Sequence, residues 1–386
     1  MIVKRVKLEN WKNFHECNVL LTGRCFVVGA NASGKSNFLD VFRFLRDITK
    51  VGGGLQTAVA DRGGIKKIRC LAARAKTNVS IYVELGETAG SDVVWSYFIS
   101  FKHTGGGIQK NEVTIIKEEV CHNGKVLLSR TEKTQGEDTE TLKFTHIEQP
   151  TANKEFRELK NFFDAVQYLN VVPQMVRESG SVLFSNNKED YYGRNFLLRL
   201  SSLNERIRNS YFKKINSVLR LAVPQLDNLS LVKDSMGVPH LEAIYKHWRA
   251  SGSKQQEAQF SDGTLRLIGF LFALIDSNGL TLLEEPESNL HTAIVAQFPE
   301  YIARMQREKK GRQVILTTHS YDMLSNMGIG ENEVLLLRNT NEGTEIVNIT
   351  DVEQIRSILA AGFSVADAVL PQSAPQEIKN LSQLDV

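Results

Sequence analysis

The chain has 386 residues, of which 42% are apolar and 24% are charged, and this composition excludes wholesale disorder and allows a large core. The net charge of +3 is too small to indicate a nucleic-acid-binding protein by itself, so a basic surface would have to be local. The four cysteines are scattered and form no C-x-x-C pair, so neither a zinc site nor a disulfide framework is indicated.

The first 150 residues predict mainly strands. The N-terminus alternates charged and apolar residues and lacks the apolar core of a signal peptide, so we expect a cytoplasmic protein. Strands are predicted at residues 2–8, 17–21 and 24–28, and a helix follows at residues 36–48. From residue 68 to residue 144 the apolar residues recur mostly with period two, which indicates an antiparallel meander. We therefore expect residues 1–150 to form one lobe.

Beyond residue 150 the pattern is first helical and then alternates between strands and helices. Residues 151–255 predict a mainly helical insertion, with helices at 153–166 and 192–221 and a hairpin within 229–245. Residues 256–350 predict a parallel sheet, because helices at 263–276, 290–307 and 321–327 alternate with strands at 280–283, 313–317 and 333–338. The longest apolar stretch, residues 267–275, is about half a membrane span, so we expect no membrane segment. The weakly patterned tail, residues 351–386, is a candidate docking segment for a partner, with core packing as the alternative.

A complete G-x-x-x-x-G-K-[ST] motif stands between the strand at residues 24–28 and the helix that follows. Its residues, with the next one included in the candidate site, are Gly29, Ala30, Asn31, Ala32, Ser33, Gly34, Lys35, Ser36 and Asn37. Glycines let the backbone curl so that N–H groups point at phosphate oxygens, and the helix start adds its positive end. We expect Lys35 to reach the β- and γ-phosphates of ATP, and the Ser36 hydroxyl to bind Mg²⁺. A glycine-rich turn that matches by chance is the alternative.

Two adjacent glutamates, Glu284 and Glu285, end the apolar strand predicted at residues 280–283. Parallel sheets bind their ligands at the carboxyl ends of the strands. We therefore expect Glu284 to bind Mg²⁺ through water, and Glu285 to activate the water that attacks ATP. Two helix-capping acids before Pro286 are the alternative.

Together these motifs resemble those of ABC-type ATPases of the branch that contains SMC, RecF and OLD proteins, and especially the small bacterial AAA-family ATPases of that branch. Residues 260–264, "FSDGT", are similar to the signature motif, and residues 284–287 to the Walker B segment. Residues 288–291 resemble the D-loop, and residues 317–320, "TTHS", the switch-histidine segment. The resemblance implies an α/β fold: a P-loop NTPase head of ABC type, with a parallel core sheet, an antiparallel β subdomain and a helical insertion.

The resemblance also implies a homodimer or higher homo-oligomer, in which two heads enclose ATP. Ser261 and Gly263 of one head would contact the γ-phosphate held by the other, and His319 would sense or orient that phosphate. Taken alone, a serine such as Ser261 is more often a helix N-cap, and a histidine such as His319 is more often structural. The early segment "LENWKNF" is similar to the opening of the family and makes Lys12 a candidate nucleotide contact.

Two positions depart from the family pattern. Glu284 stands where aspartate is commonest, and its extra methylene predicts slow hydrolysis of ATP to ADP and phosphate. The glutamine of the family's Q-loop is hard to place; Gln174 is a candidate, and a surface amide is the alternative.

Three functions compete on the sequence. The first is a sensor or scaffold subunit that controls a separate effector, a nuclease or toxin, as in bacterial anti-phage defence; the absence of a fused nuclease pattern favours it. The second is a RecF-like DNA-repair ATPase, and the third is the motor of a membrane transporter, which the signature and D-loop sequences disfavour. Nucleic-acid binding would use two basic stretches, for which solvated helix faces are the alternative. Their residues are Arg62, Lys66, Lys67, Arg69, Arg74 and Lys76, and Arg194, Arg199, Arg206, Arg208, Lys213, Lys214 and Arg220.

Overall fold

The computed structural model describes residues 1–73, 76–104, 112–132, 139–178, 192–193, 195–246, 252–308 and 311–374. Its strands are β1 (Ile2–Trp11), β2 (Phe14–Leu20), β3 (Arg24–Gly29), β4 (Val79–Gly86), β5 (Trp95–His103), β6 (Val113–His122), β7 (Lys125–Thr131), β8 (Gln167–Tyr168), β9 (Leu226–Lys233), β10 (Pro239–Tyr245), β11 (Ser253–Gln256), β12 (Leu280–Glu284), β13 (Gln313–Thr317), β14 (Val334–Thr340) and β15 (Gly343–Asn348).

Its helices are α1 (Lys35–Thr49), α2 (Leu55–Ala60), α3 (Ile65–Ile68), α4 (Arg157–Asp164), α5 (Pro173–Arg177), α6 (Phe196–Ser202), α7 (Glu205–Ala222), α8 (Asp262–Asp276), α9 (Thr292–Val295), α10 (Phe298–Glu308), α11 (Tyr321–Leu324), α12 (Glu353–Ala360) and α13 (Val365–Ser373). In the part of the chain that the structure describes, no helix is both long enough and apolar enough to cross a bilayer.

The first sheet is antiparallel and has the strand order β2-β1-β4-β5-β6-β7. The meander predicted between residues 68 and 144 is confirmed as β4 to β7, in which each strand pairs with the next. Alternate residues of β4 are fully buried, as expected for a sheet with one face against a core. A separate three-stranded sheet contains the predicted hairpin, β9 and β10, together with β11.

The second six-stranded sheet has the order β15-β14-β3-β13-β12-β8, and all of its neighbouring strands are parallel except β15, which forms a hairpin with β14. The predicted parallel sheet is therefore confirmed. Every residue of β3 and of β13 is buried, because other elements cover both faces of these strands. Their carboxyl ends, at Gly29 and Thr317, lie at the same edge of the sheet as Glu284.

The parallel sheet separates two hydrophobic cores. Cys25 and Val27 of β3 belong to the core that the antiparallel sheet, α1 and α4 complete. Phe26 and Val28 belong to the other core, which contains α7, α8 and α10. Successive side chains of a strand point to opposite faces, so one short strand contributes to both cores.

Two of the predicted helices are interrupted. The helix expected at residues 192–221 is wrong as one element: α6 ends at Ser202, and α7 begins after Asn204, whose side chain accepts a hydrogen bond from the Arg206 N–H, 2.9 Å. The helix expected at residues 290–307 divides into α9 and α10. The first break is a local capping event, which an apolar pattern of helical period does not reveal.

The tail is more regular than the sequence predicted, since residues 353–360 and 365–373 are helical. Ser364 caps α13 by accepting a hydrogen bond from the Asp367 N–H, while the Asp367 carboxylate accepts one from Ser364. Ile355 and Val369 are buried in the second core, so core packing is confirmed for this part of the tail. Residues 375–386 lie outside the described residues. The predicted four-part division stays a proposal, and because β8 joins the core sheet we propose that the insertion begins after it.

Candidate functional site

The phosphate loop connects the end of β3 at Gly29 with the start of α1 at Lys35. Ala32 and Gly34 have left-handed backbone angles, with φ of 62° and 96°. A Cβ atom at Gly34 would also overlap the side-chain amide of Asn13. This position therefore needs glycine, both because its φ is left-handed and because no room is left for a side chain. Backbone curved in this way can turn successive N–H groups toward an anion. The loop residues exposed to solvent are Asn31, Ala32 and Ser36.

Two side chains from distant parts of the chain donate hydrogen bonds to the backbone of the phosphate loop. The Asn13 amide donates to the Ser33 carbonyl, 3.0 Å, and the Thr344 hydroxyl donates to the same carbonyl, 2.9 Å. Asn37, expected at the nucleotide, donates its amide to the Asn13 Oδ1, 2.8 Å. Asn13 lies in the segment "LENWKNF", in which only Lys12 was expected to contact the nucleotide, and Thr344 belongs to no local motif.

The Lys35 side chain is almost fully buried and lies within the loop. Its ammonium donates to the carbonyls of Gly29, 2.9 Å, and Ala30, 3.1 Å. The same nitrogen is 3.9 Å from Oε1 of Glu285. Lys35 therefore joins the loop to the carboxylate at the end of β12.

The acidic pair stands at the end of β12 next to β13. Glu284 is opposite Thr317 in the parallel pair, and the Glu285 N–H donates to the Thr317 carbonyl, 3.1 Å. Glu285 has a φ of 39°, a left-handed angle that is uncommon for a residue with a side chain and typical of functional sites. Its Oε1 is 3.2 Å from Nδ1 of His319, which follows β13. The structure thus brings Lys35, Glu285 and His319 together.

Glu284 has a partner that sequence reasoning missed. The hydroxyl of Tyr168 donates to its Oε2 over 2.6 Å. Burial, and then the negative charge of Glu284, raise the pKa of Tyr168, so the hydroxyl stays protonated and remains a donor. Tyr168 lies on a strand of two residues, which is too short to leave a periodic signal.

Glu287 is a second missed residue, and it is buried with 8% exposure. Its Oε1 accepts hydrogen bonds from the Thr318 hydroxyl, 2.5 Å, and from the His319 N–H, 3.4 Å. Burial raises the pKa of this carboxyl group. Glu287 therefore connects the loop after β12 with the switch-histidine segment after β13.

The signature segment forms the start of α8. Ser261 is its N-cap and accepts a hydrogen bond from the Thr264 N–H, 3.1 Å, as the structural alternative predicted. A Cβ atom at Gly263 would overlap the carbonyl of Asn289 in the D-loop. Arg177 donates to the Phe260 carbonyl, 2.7 Å, and to the Asp262 carboxylate, 2.6 Å. Among the described residues, no hydrogen bond joins Ser261 to the phosphate loop of its own chain.

Two weaker candidates have other contacts. The Lys12 ammonium is 2.6 Å from Oδ2 of Asp40, so it pairs with α1. The Gln174 amide, on α5, donates to Glu178, 2.5 Å, as a surface amide would. Asn170, beyond the end of β8, lines a small cavity together with Glu284 and Arg266.

Within the described ranges, four residues of the basic stretches pair with acids. Arg62 donates two hydrogen bonds to the carboxylate of Asp40 on α1. In the second stretch the pairs are Arg199 with Asp276, Lys214 with Glu308 and Arg220 with Asp227. Lys66, Lys67 and Arg69 are exposed. Arg74 and Arg194 lie outside the described residues.

The donor set at this edge of the sheet fits Mg²⁺ and ATP. The curved loop and the Lys35 ammonium supply N–H groups for phosphate oxygens. The Ser36 hydroxyl and the Glu284 carboxylate would supply the hard oxygen ligands that Mg²⁺ prefers. Two protein ligands are a usual number where phosphate oxygens and water complete the coordination of Mg²⁺.

A family model described as "AAA domain, putative AbiEii toxin, Type IV TA system" matches residues 25–325, well over half of the chain. The chain belongs to this family. The match contains the phosphate loop, the signature segment, the acidic pair and the switch histidine, and it confirms the resemblance drawn from these motifs.

Two solved structures show which fold the AAA-domain chain has. The SMC head bound to the C-winged helix domain of ScpA is 14% identical, with a TM-score of 0.54, over 90% of this chain and 98% of that one. The Smc head domain with an extended coiled coil, bound to the C-terminal domain of ScpA and derived from Pyrococcus furiosus, is 12% identical, with a TM-score of 0.50, over 93% and 99%. The AAA-domain chain therefore has the fold of an SMC head domain. No protein of curated function matches the sequence significantly.

Proposed function

We propose that this AAA-domain chain binds ATP with Mg²⁺ and hydrolyses it to ADP and phosphate, using residues 29–37, Glu284, Glu285 and His319. The observation that carries the proposal is the meeting of Lys35, Glu285 and His319 at the carboxyl ends of three neighbouring strands. Phosphoryl transfer to water needs a cation that binds the phosphates and a carboxylate that activates the water. Lys35 and Glu285 supply these groups, and His319 contacts the carboxylate. The family and the SMC-head fold support the same reaction.

Each side chain has a defined task in this proposal. Lys35 binds the β- and γ-phosphates together with the backbone N–H groups of the loop. Ser36 and Glu284 hold Mg²⁺, which, when bound, neutralises charge on the phosphates. Glu285 accepts a proton from the attacking water, and His319, 3.2 Å away, orients that carboxylate and senses the γ-phosphate.

We also propose that ATP joins two copies head to head, as a homodimer or a higher homo-oligomer. Ser261 and Gly263 lie at the start of α8, a helix of 15 residues whose N-terminal end favours an anion. Ser261 is exposed, so it is accessible to the γ-phosphate held by a second copy.

The dimer would act as a cytoplasmic sensor or scaffold that controls a separate effector, a nuclease or toxin, in anti-phage defence. Two findings support this role. The family description names a toxin and a toxin–antitoxin system, and the similar SMC heads were solved in complex with domains of another protein, ScpA. A RecF-like ATPase that binds DNA is the second candidate, and the exposed Lys66, Lys67 and Arg69 favour it.

The first experiment compares ATP binding by the wild type, Lys35→Ala and Lys125→Ala, measured by calorimetry with Mg²⁺. Lys125 is an exposed lysine on β7 and serves as the matched control. We expect Lys35→Ala to lose ATP binding and Lys125→Ala to keep it. Binding by Lys35→Ala as tight as that of the wild type would remove the phosphate loop from the site.

The second experiment tests the role. Tagged Glu285→Gln is purified from its native cell with Lys35→Ala as control, and the bound protein and nucleic acid are identified. A stoichiometric protein held only by Glu285→Gln supports the effector model. Nucleic acid without such a protein would replace it with the DNA-binding candidate.

A further inference from the structure

Glu284 is one methylene longer than the aspartate that is commonest at the metal position in the wider family of ABC-type ATPases, and its carboxylate has a hydrogen-bond partner in the structure. Oε2 of Glu284 accepts the Tyr168 hydroxyl over 2.6 Å. We propose that Tyr168 is a positioning residue that fixes the Glu284 carboxylate so that Oε1 serves Mg²⁺. The inference rests on the Mg²⁺ role proposed above for Glu284.

The strand register explains why a tyrosine reaches this carboxylate. Tyr168 is opposite Leu282 in the parallel pair of β8 and β12, so it starts two residues behind Glu284. Leu282 and Glu284 point to the same face, because strand side chains alternate. Two residues of a strand rise about 6.6 Å, a distance that the ring and hydroxyl of a tyrosine can cover. A phenylalanine would keep the ring and lose the contact.

The ring itself is fixed by the helix that follows the phosphate loop. The guanidinium of Arg43, on α1, lies over the Tyr168 ring with its carbon 4.3 Å from the ring centre. Tyr168 is buried, with 6% exposure, and packs in the core between the two large sheets. The Tyr168 hydroxyl therefore has little freedom to move. Tyr168 thus bonds to Glu284 and also contacts α1, the helix that begins with Lys35 and Ser36.

A glutamate needs such a partner more than an aspartate does. Its additional torsion gives the carboxylate more positions, and fixing them at the moment of binding would cost conformational entropy. A donor already bonded to one oxygen removes part of that cost and leaves the other oxygen for the ion. Substituting partners that orient metal ligands typically weakens metal affinity by 10- to 100-fold, so we expect an effect of about this size.

The experiment measures Mn²⁺ affinity by electron paramagnetic resonance, with a non-hydrolysable ATP analogue at saturation, so it does not depend on turnover. The variants are Tyr168→Phe, Glu284→Ala, Glu284→Asp and the double variant Tyr168→Phe/Glu284→Asp. Tyr82→Phe is the matched control, because its hydroxyl also donates to a glutamate, Glu84, 3.0 Å away on the antiparallel sheet. Binding of the analogue without metal is measured in parallel.

We expect Tyr168→Phe to weaken Mn²⁺ binding by about 10- to 100-fold, with metal-free binding of the analogue within about twofold of wild type and Tyr82→Phe unchanged. In the Glu284→Asp background the same substitution should have little effect, because the shorter carboxylate does not reach the hydroxyl. Equal Mn²⁺ affinity in Tyr168→Phe and wild type, or an equal loss in the aspartate background, would overturn the inference about Tyr168. Unchanged Mn²⁺ affinity in Glu284→Ala would overturn the proposed metal role of Glu284 as well, so the two failures are distinguishable.

Discussion

Asp40 is expected to stabilise the fold through its charge, and replacing it with asparagine tests this. The carboxylate is buried on α1 and accepts two hydrogen bonds of 2.9 Å from Arg62, while the Lys12 ammonium is 2.6 Å away. Burial alone would raise the pKa of Asp40, but Arg62, Lys12 and Arg43 outweigh it and lower the pKa from 3.8 to about 2. At about 1.4 kcal/mol per pKa unit, this difference corresponds to about 2 kcal/mol of stability.

Because the pKa is lower in the folded chain than in the unfolded one, this stability is present above pH 3.8 and is lost as the pH falls through about 2. Urea unfolding at pH 7 should therefore show Asp40→Asn less stable than wild type by about 2 kcal/mol. At pH 3 the difference should shrink to about half of that value. Asp61→Asn, an exposed neighbour, is the control and should match wild type. A stabilising charge on Asp40 would be refuted if the free energies of unfolding of wild type and Asp40→Asn differed by less than about 0.5 kcal/mol at pH 7, or if their difference stayed constant down to pH 3.

Three further substitutions test the site. Gly34→Ala should lose nucleotide binding in a fluorescent-nucleotide titration, because its backbone φ is 96° and its Cβ would overlap Asn13; normal binding would show that the loop can adapt. Glu285→Gln should slow single-turnover hydrolysis by about 10²- to 10⁴-fold while ATP still binds, and an unchanged rate would remove Glu285 as the base. Thr318→Val should lower the free energy of unfolding by about 1–3 kcal/mol, because it leaves the buried Glu287 without its shortest hydrogen bond. Thr318→Ser keeps the hydroxyl and should restore most of that stability; equal losses in the two variants would point to packing instead.

The residues that the sequence identified are those whose chemistry depends on neighbours along the chain. The phosphate loop needs glycines, a lysine and a hydroxyl at fixed spacing between a strand and a helix, so the motif carries its own structural context. Glu284 and Glu285 follow an apolar strand in the same way. Parallel strands end at one edge, and this rule alone brings the two segments together.

The residues that sequence reasoning missed act through pairing between distant segments. Tyr168 reaches Glu284 only because β8 joins the sheet beside β12, and two residues carry no periodic signal. Asn13 lies in the turn between β1 and β2 and donates to the Ser33 carbonyl. Thr344 donates to the same carbonyl from β15, in the hairpin of β14 and β15. Such contacts depend on the strand order of two sheets, which composition and periodicity do not determine.

The division of β3 between two cores has a consequence for how the chain folds. Residues 1–150 contain the antiparallel sheet and α1, but the core that they form also includes Leu280 and Leu282 of β12 and Ile315 of β13. These strands come from the other end of the chain, so a fragment that stops at residue 150 would expose an apolar surface. The two halves should therefore unfold in a single cooperative transition, and nucleotide binding should be recovered from separate fragments only when both are refolded together.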